Sequence, residues 1–188
     1  MKALAIVGSP RKNGNTEILT KHTLRAIEEE GLHTELIRLA DLDIKPCTAC
    51  YACKKEETCT IDDDLWPIYT KMKESGAIIF ASPVYFGSAT PNIKALMDRT
   101  GFIALWNGRV FEGKVGGPLV VGGREGQNFT VAQLAYWFYY MGCIVPGSTS
   151  WNIAFGDDKG EVETDLKGLE TVWNFGKNVA RLVKQLQI

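Results

Sequence analysis

The chain has 188 residues, 45% of them hydrophobic and 23% charged, with a formal net charge of -1. That length suits one domain with one buried core, spanning residues 1–188. The near-zero charge argues against nucleic acid, which demands a basic face, and against a polybasic membrane anchor. No apolar run nears the roughly 18 residues that cross a bilayer, and Met1 to Val7 is too short for a signal-peptide core, so a cytoplasmic protein is expected.

Lys2 to Val7 is an apolar run that stops at Gly8 and reads as a buried strand. Thr16 to Glu30 reads as a helix stopped by Gly31, with Leu19, Thr23, Ala26 and Ile27 on one face. Glu35 to Leu39 is a second strand, and Asp63 or Asp64 caps a helix that runs to about Ser75. Ala77 to Ala81 is a third strand, and Thr90-Pro91 opens a further helix with proline at its first position. Leu119 to Val121 predicts the fourth strand, Ala132 to Met141 an aromatic-rich helix, and Cys143 to Val145 the fifth strand. Leu166 to Leu186 closes the chain as a helix, with Leu169, Val172, Gly176, Val179 and Val183 inward.

Apolar strands alternating with helices imply a parallel sheet covered on both faces. Ligands of such sheets bind beyond the carboxyl ends of the strands, where the strand order reverses. The loops to inspect are therefore Gly8 to Asn15, Ser82 to Thr90 and Gly122 to Gln127. The first joins a strand to a helix start, where free backbone N–H groups and the helix dipole favour an anion. Ser9, Asn15 and Thr16 add short donors, and Arg11 and Lys12 add charge. The loop is neither a P-loop nor Gly-x-Gly-x-x-Gly, so ATP and Rossmann-type NAD binding lose support. A plain polar turn is the competing reading, since these are turn residues anyway.

There are 5 cysteines, and Cys47, Cys50, Cys53 and Cys59 fall within one short stretch. Such clustering points to a metal site or redox chemistry and not to a disulfide framework. Three thiolates at intervals of three can converge on one iron–sulfur cluster, with the fourth arriving from a short loop. A zinc site, or redox thiols, remain as alternatives; no histidine lies near, because His22 and His33 are both upstream. Cys143 reads as inert packing, and Asp62 to Asp64 as a helix cap.

Gly8-Ser9-Pro10-Arg11 with Gly14-Asn15-Thr16, then Ser82-Pro83-Val84-Tyr85-Phe86-Gly87, together resemble the NAD(P)H-dependent FMN reductase superfamily. Lys94-Ala95-Leu96-Met97-Asp98-Arg99 and Gly122-Gly123-Arg124-Glu125-Gly126-Gln127 belong to the same resemblance, which covers Met1 to about Ser148. It implies a three-layer flavodoxin-like α/β fold with strand order 2-1-3-4-5 and FMN at the switch point. The first loop would hold the phosphate. Pro83 and Val84 would floor the flavin ring, backbone amides of Tyr85, Phe86 and Gly87 would reach its polar edge, and Gly122, Gly123, Gly126 and Gln127 would frame it.

The four-cysteine motif just after the second strand resembles the iron–sulfur flavoproteins of anaerobic microbes. That resemblance implies a [4Fe–4S] cluster on Cys47, Cys50, Cys53 and Cys59, and a homodimer or homotetramer. Trp106, Phe111 and Tyr136 to Tyr140 would supply apolar surface to core and interface. The implied activity is electron transfer between a donor such as ferredoxin, the cluster and FMN, with a quinone or other small oxidant as acceptor. A cluster-free NAD(P)H-dependent FMN or quinone reductase is the alternative, and a non-enzymatic electron carrier a further one. No side chain is required as an acid or base for outer-sphere transfer.

Overall fold

The computed structural model describes residues 1–188. Strands β1 (Lys2–Val7), β2 (His33–Arg38), β3 (Ala77–Pro83), β4 (Val115–Gly122) and β5 (Ile153–Phe155) form one parallel sheet in the order β2-β1-β3-β4-β5. Helices α1 (Asn15–Glu29) and α5 (Leu166–Leu186) cover one face. Helices α2 (Leu65–Glu74), α3 (Pro91–Trp106) and α4 (Gln127–Tyr140) cover the other. This is the three-layer, flavodoxin-like architecture that the alternation of strands and helices implies.

The two cores explain why the strands read as continuous apolar runs. Successive side chains point to opposite faces, and both faces are covered. Along β1, Leu4 and Ile6 enter the core beneath α2, α3 and α4, while Ala3, Ala5 and Val7 enter the core beneath α1 and α5. Phe80 on β3 does the same, packing against Trp137 and Phe138 of α4. The aromatic run on α4 is thereby divided. Trp137 and Phe138 are core, whereas Tyr136, Tyr139 and Tyr140 are exposed. Phe111 is also core.

The fifth strand lies elsewhere than expected. Ile144, inside Cys143–Val145, makes only an isolated bridge to Val115. Pro146 follows, has no N–H for the ladder, and the chain leaves the edge. It returns at Ile153–Phe155 to pair with Val120–Gly122, beside the carboxyl end of β4. Cys143 is nevertheless the inert thiol expected. It is buried, donates to the carbonyl of Phe111, and burial pushes its pKa up to about 12. No helix is long and apolar enough to cross a membrane.

Candidate functional site

The loops after β1, β3 and β4 meet at one cleft, where the strand order reverses. Ser9, Arg11, Asn15 and Thr16 line it from the first loop, Pro83, Val84 and Tyr85 from the second, and Gly122 and Gly123 from the third. Phe86, Gly87 and Gly126 line an adjoining cleft that shares Val84 and Gly123. Lys12 is exposed and lines neither cleft. Gln127 is buried behind the wall, where its side-chain N–H donates to the Gly122 carbonyl at 3.1 Å and holds that loop in place.

The first loop is built to leave donors free. No side chain caps α1, so its first amides keep no intrahelical partner. Asn13 turns the chain at φ 51°, and its N–H is taken by the buried Glu17 carboxylate at 2.7 Å. Asn15 faces a segment that the sequence reading overlooked. Its side chain donates to the Asp158 carbonyl and accepts from the Gly160 N–H, both at 2.8 Å. Arg11 donates to the Asp157 carbonyl at 3.1 Å. Gly156 and Asp157 therefore wall the cleft as well. They were missed because they follow the misplaced fifth strand; a Gly-Asp-Asp turn at a strand's carboxyl end was the signal available.

The second loop is a tight turn. Tyr85 and Ser88 exchange backbone hydrogen bonds at 2.8 and 3.0 Å, with Phe86 at φ 51° and Gly87 at φ 75° between them. This corrects one expectation, because the Tyr85 amide is committed to Ser88 and is not free for a ligand. The amides of Phe86 and Gly87 make no hydrogen bond and remain available. A bulky residue at positive φ is uncommon, and the Phe86 ring is fully exposed on the rim. The first and second loops are locked together where the Thr90 hydroxyl donates to the Gly8 carbonyl at 2.9 Å. A Cβ on Gly8 would stand 2.7 Å from that hydroxyl and 3.0 Å from the Ile93 Cβ, so a larger residue there forces its neighbours to shift. A flat ring and a phosphate fit what the cleft offers: free amides, glycine backbone, and Pro83 with Val84 as apolar floor.

The second region is the segment between β2 and α2. It carries only two short 3₁₀ turns, Leu39–Asp41 and Ala52–Lys54. Ala49 and Tyr51 both adopt positive φ, at 53° and 58°, which folds the Cys-x-x-Cys-x-x-Cys run back on itself. All four of Cys47, Cys50, Cys53 and Cys59 line one depression, together with Arg99, Phe102 and Ile103 of α3. Cys47 and Cys50 are exposed, and Cys53 and Cys59 are half-buried. Burial pushes the Cys53 thiol up, and the other three thiols, close enough to repel its charge, push it further. Hydrogen bonding, from Thr60 first, holds the Cys50 thiol below its ordinary value. The four cysteines share this one depression. The donor set, four thiols and no imidazole, fits an iron–sulfur cluster, and one side of any group they hold would be open.

Asp63 does more than cap α2. Its carboxylate accepts from the amides of Lys45 at 2.9 Å and Leu65 at 3.2 Å, and pairs with the buried Arg99 guanidinium. Burial opposes the Asp63 charge, yet Arg99 and those amides hold its carboxyl below the usual carboxylate range. Arg99 was visible in the sequence only as part of a motif, with no role attached.

A sequence model described as NADPH-dependent FMN reductase matches residues 1–158. An iron-sulfur flavoprotein of Methanocaldococcus jannaschii is 41% identical over 194 residues, covering 100% of both chains. An iron-sulfur flavoprotein of Methanosarcina thermophila is 35% identical over 195 residues, covering 100% of this chain and 97% of the relative. Among solved structures, RosB with a bound 8-demethyl-8-formylriboflavin-5'-phosphate intermediate superposes with a TM-score of 0.79 at 20% identity, covering 100% of this chain and 80% of RosB. That last likeness speaks for the fold.

Proposed function

The chain belongs to the NADPH-dependent FMN reductase family and, within it, to the iron–sulfur flavoproteins, and from that premise we propose how this FMN-dependent oxidoreductase is furnished. FMN lies in the switch-point cleft. A [4Fe–4S] cluster is held by Cys47, Cys50, Cys53 and Cys59. Electrons pass between a donor such as ferredoxin and a small oxidant or quinone. Flavin supplies a centre that exchanges one or two electrons, and a cluster supplies one that exchanges a single electron.

The chain's own residues bind, orient and shield. The uncapped start of α1, with Ser9 and Thr16, receives the phosphate, and Arg11 adds charge. Pro83 and Val84 give the ring an apolar seat, and the free amides of Phe86 and Gly87 meet its polar edge. The exposed Tyr136, Tyr139, Tyr140 and Trp151 fit the interface of a homodimer or homotetramer.

The observation that carries this reading is the convergence of all four cysteines on one depression against α3. Metal and flavin content after anaerobic purification tests it. About four irons with one FMN per chain are expected. Cys50→Ala should lose iron and keep FMN. Iron surviving that change would remove Cys50 from the ligand set, and FMN without iron in the wild type would leave a plain reductase reduced directly by NAD(P)H.

A further inference from the structure

Arg99 sits in the middle of α3, 2% exposed, with every hydrogen bond of its guanidinium directed at the cysteine segment. One terminal nitrogen donates to the Lys45 carbonyl at 3.0 Å and to the Asp63 carboxylate. The other donates to Cys59 Sγ at 3.2 Å, to the other Asp63 oxygen at 3.0 Å and to the Ile61 carbonyl at 3.4 Å. Its side chain also lines the depression that the four cysteines share. Neither the cleft nor the packing of α3 against the sheet calls for a buried cation at this point.

We propose that Arg99 is a positioning residue of the metal centre, which pins Cys59 as a ligand and, through an N–H···S hydrogen bond, raises the reduction potential of the cluster. This rests on the iron–sulfur reading above. The physical reason is a difference between two charge states. Reduction adds one negative charge to a cluster and its thiolates, and a donor aimed at a ligand sulfur stabilises the more negative state more. Asp63 neutralises Arg99 as seen from a distance, so the directed N–H carries the effect. The planar fork matters as well. Arginine can grip a carboxylate with both terminal nitrogens while one of them also faces the sulfur; an ammonium is a single point charge and cannot span both.

The same contacts would also arise if Arg99 merely stapled the loop. A potential separates the two roles, because a staple leaves the potential of an assembled cluster where it was. Arg99→Lys and Arg99→Gln holoproteins are purified anaerobically beside the wild type, iron and FMN per chain are measured, and the cluster is titrated by electron paramagnetic resonance. Arg99→Lys is expected to keep FMN and move the midpoint to a more negative value by about 59 mV, a tenfold change in the one-electron equilibrium. Arg99→Gln, which leaves the Asp63 carboxylate uncompensated near the cluster, moves it further in the same direction. Loss of iron from either variant, with fold and FMN kept, supports the pinning of Cys59. An unchanged midpoint in iron-loaded Arg99→Lys overturns the inference.

Should neither variant fold, pulsed resonance on reduced wild-type protein carrying nitrogen-15 in its arginine guanidinium groups decides the matter. A nitrogen-15 coupling to the cluster supports the contact, and its absence overturns it. Wild-type protein with FMN and no iron is a separate result, which overturns the reading beneath the inference.

Discussion

Around the switch-point cleft, loops grow straight from strand ends of the sheet and side chains lock them together; around the cysteines, an irregular segment is held down by side chains from neighbouring helices. The cleft inherits its geometry from the sheet. Gly8 is clamped between the Ala81 carbonyl and Thr90, Gly122 is held by Gln127, and Asn15 ties the first loop to the turn after β5. The cysteine segment belongs to no ladder, and its firmest attachment to the fold is the Arg99–Asp63 pair, whose side chains are 1% and 0% exposed. A site made of loops can thus be rigid in two ways, by continuity with a sheet or by side chains reaching in from neighbouring helices, the buried Arg99–Asp63 pair foremost.

The sharpest way to break this contrast is Arg99→Met. It strands the Asp63 carboxylate in a buried setting, for which a loss of about 3–5 kcal/mol is expected in chemical denaturation. The cysteine segment should open first, read as accelerated amide exchange at Lys45 and Leu65. Gly8→Val attacks the other region. Its Cβ would overlap Thr90 and Ile93, so a loss of about 1–3 kcal/mol is expected, with FMN released and iron retained. If iron leaves with the flavin, the two regions are one cooperative unit and the contrast fails.

Acid provides the mildest perturbation. Asp63 is held below its ordinary value of about 3.9, so the stability it contributes is present above that pH and is lost as pH falls through the lower, folded value. Amide exchange at Lys45 and Leu65 should therefore quicken, relative to that of Gly8 with its backbone-carbonyl partner, only once the pH falls below the ordinary carboxylate value, and not in mild acid. Equal sensitivity at all three amides would show that Asp63 does not hold the segment locally.

These differences also govern what could be read from the chain beforehand. Strands β1 and β3 were legible as unbroken apolar runs because both of their faces are covered, and helix α5 because burial of one face writes a helical period into its residues. The edge strand was not, since Cys143–Val145 and Ile153–Phe155 are both short and mostly apolar, and pairing with β4 decided between them. Most of the predicted cleft residues line the cleft pair, because ends of buried strands mark it in any doubly wound sheet. That the Tyr85 amide is already spent could not be seen, since a turn's internal hydrogen bonds leave little trace in residue type. Arg99 had a signal that went unused. It shares a helical face with Ala95, Leu96 and Ile103, all buried, and a charge inside an apolar stripe asks for a partner.

Helix α3 touches both regions, with Thr90 at its start bound to the Gly8 loop and Arg99 farther along bound to the cysteine segment. At 1.5 Å per residue these two anchors lie roughly 13 Å apart along the axis. The helix is thus a ruler with two marks, and rulers do not tolerate extra divisions. One residue inserted between the marks would swing Arg99 by about 100° away from Cys59 and Asp63. The irregular stretch between β2 and α2 bears no such constraint away from the cysteines and Asp63. Length variation across descendants of this gene should therefore gather in that stretch and be purged from the first three turns of α3.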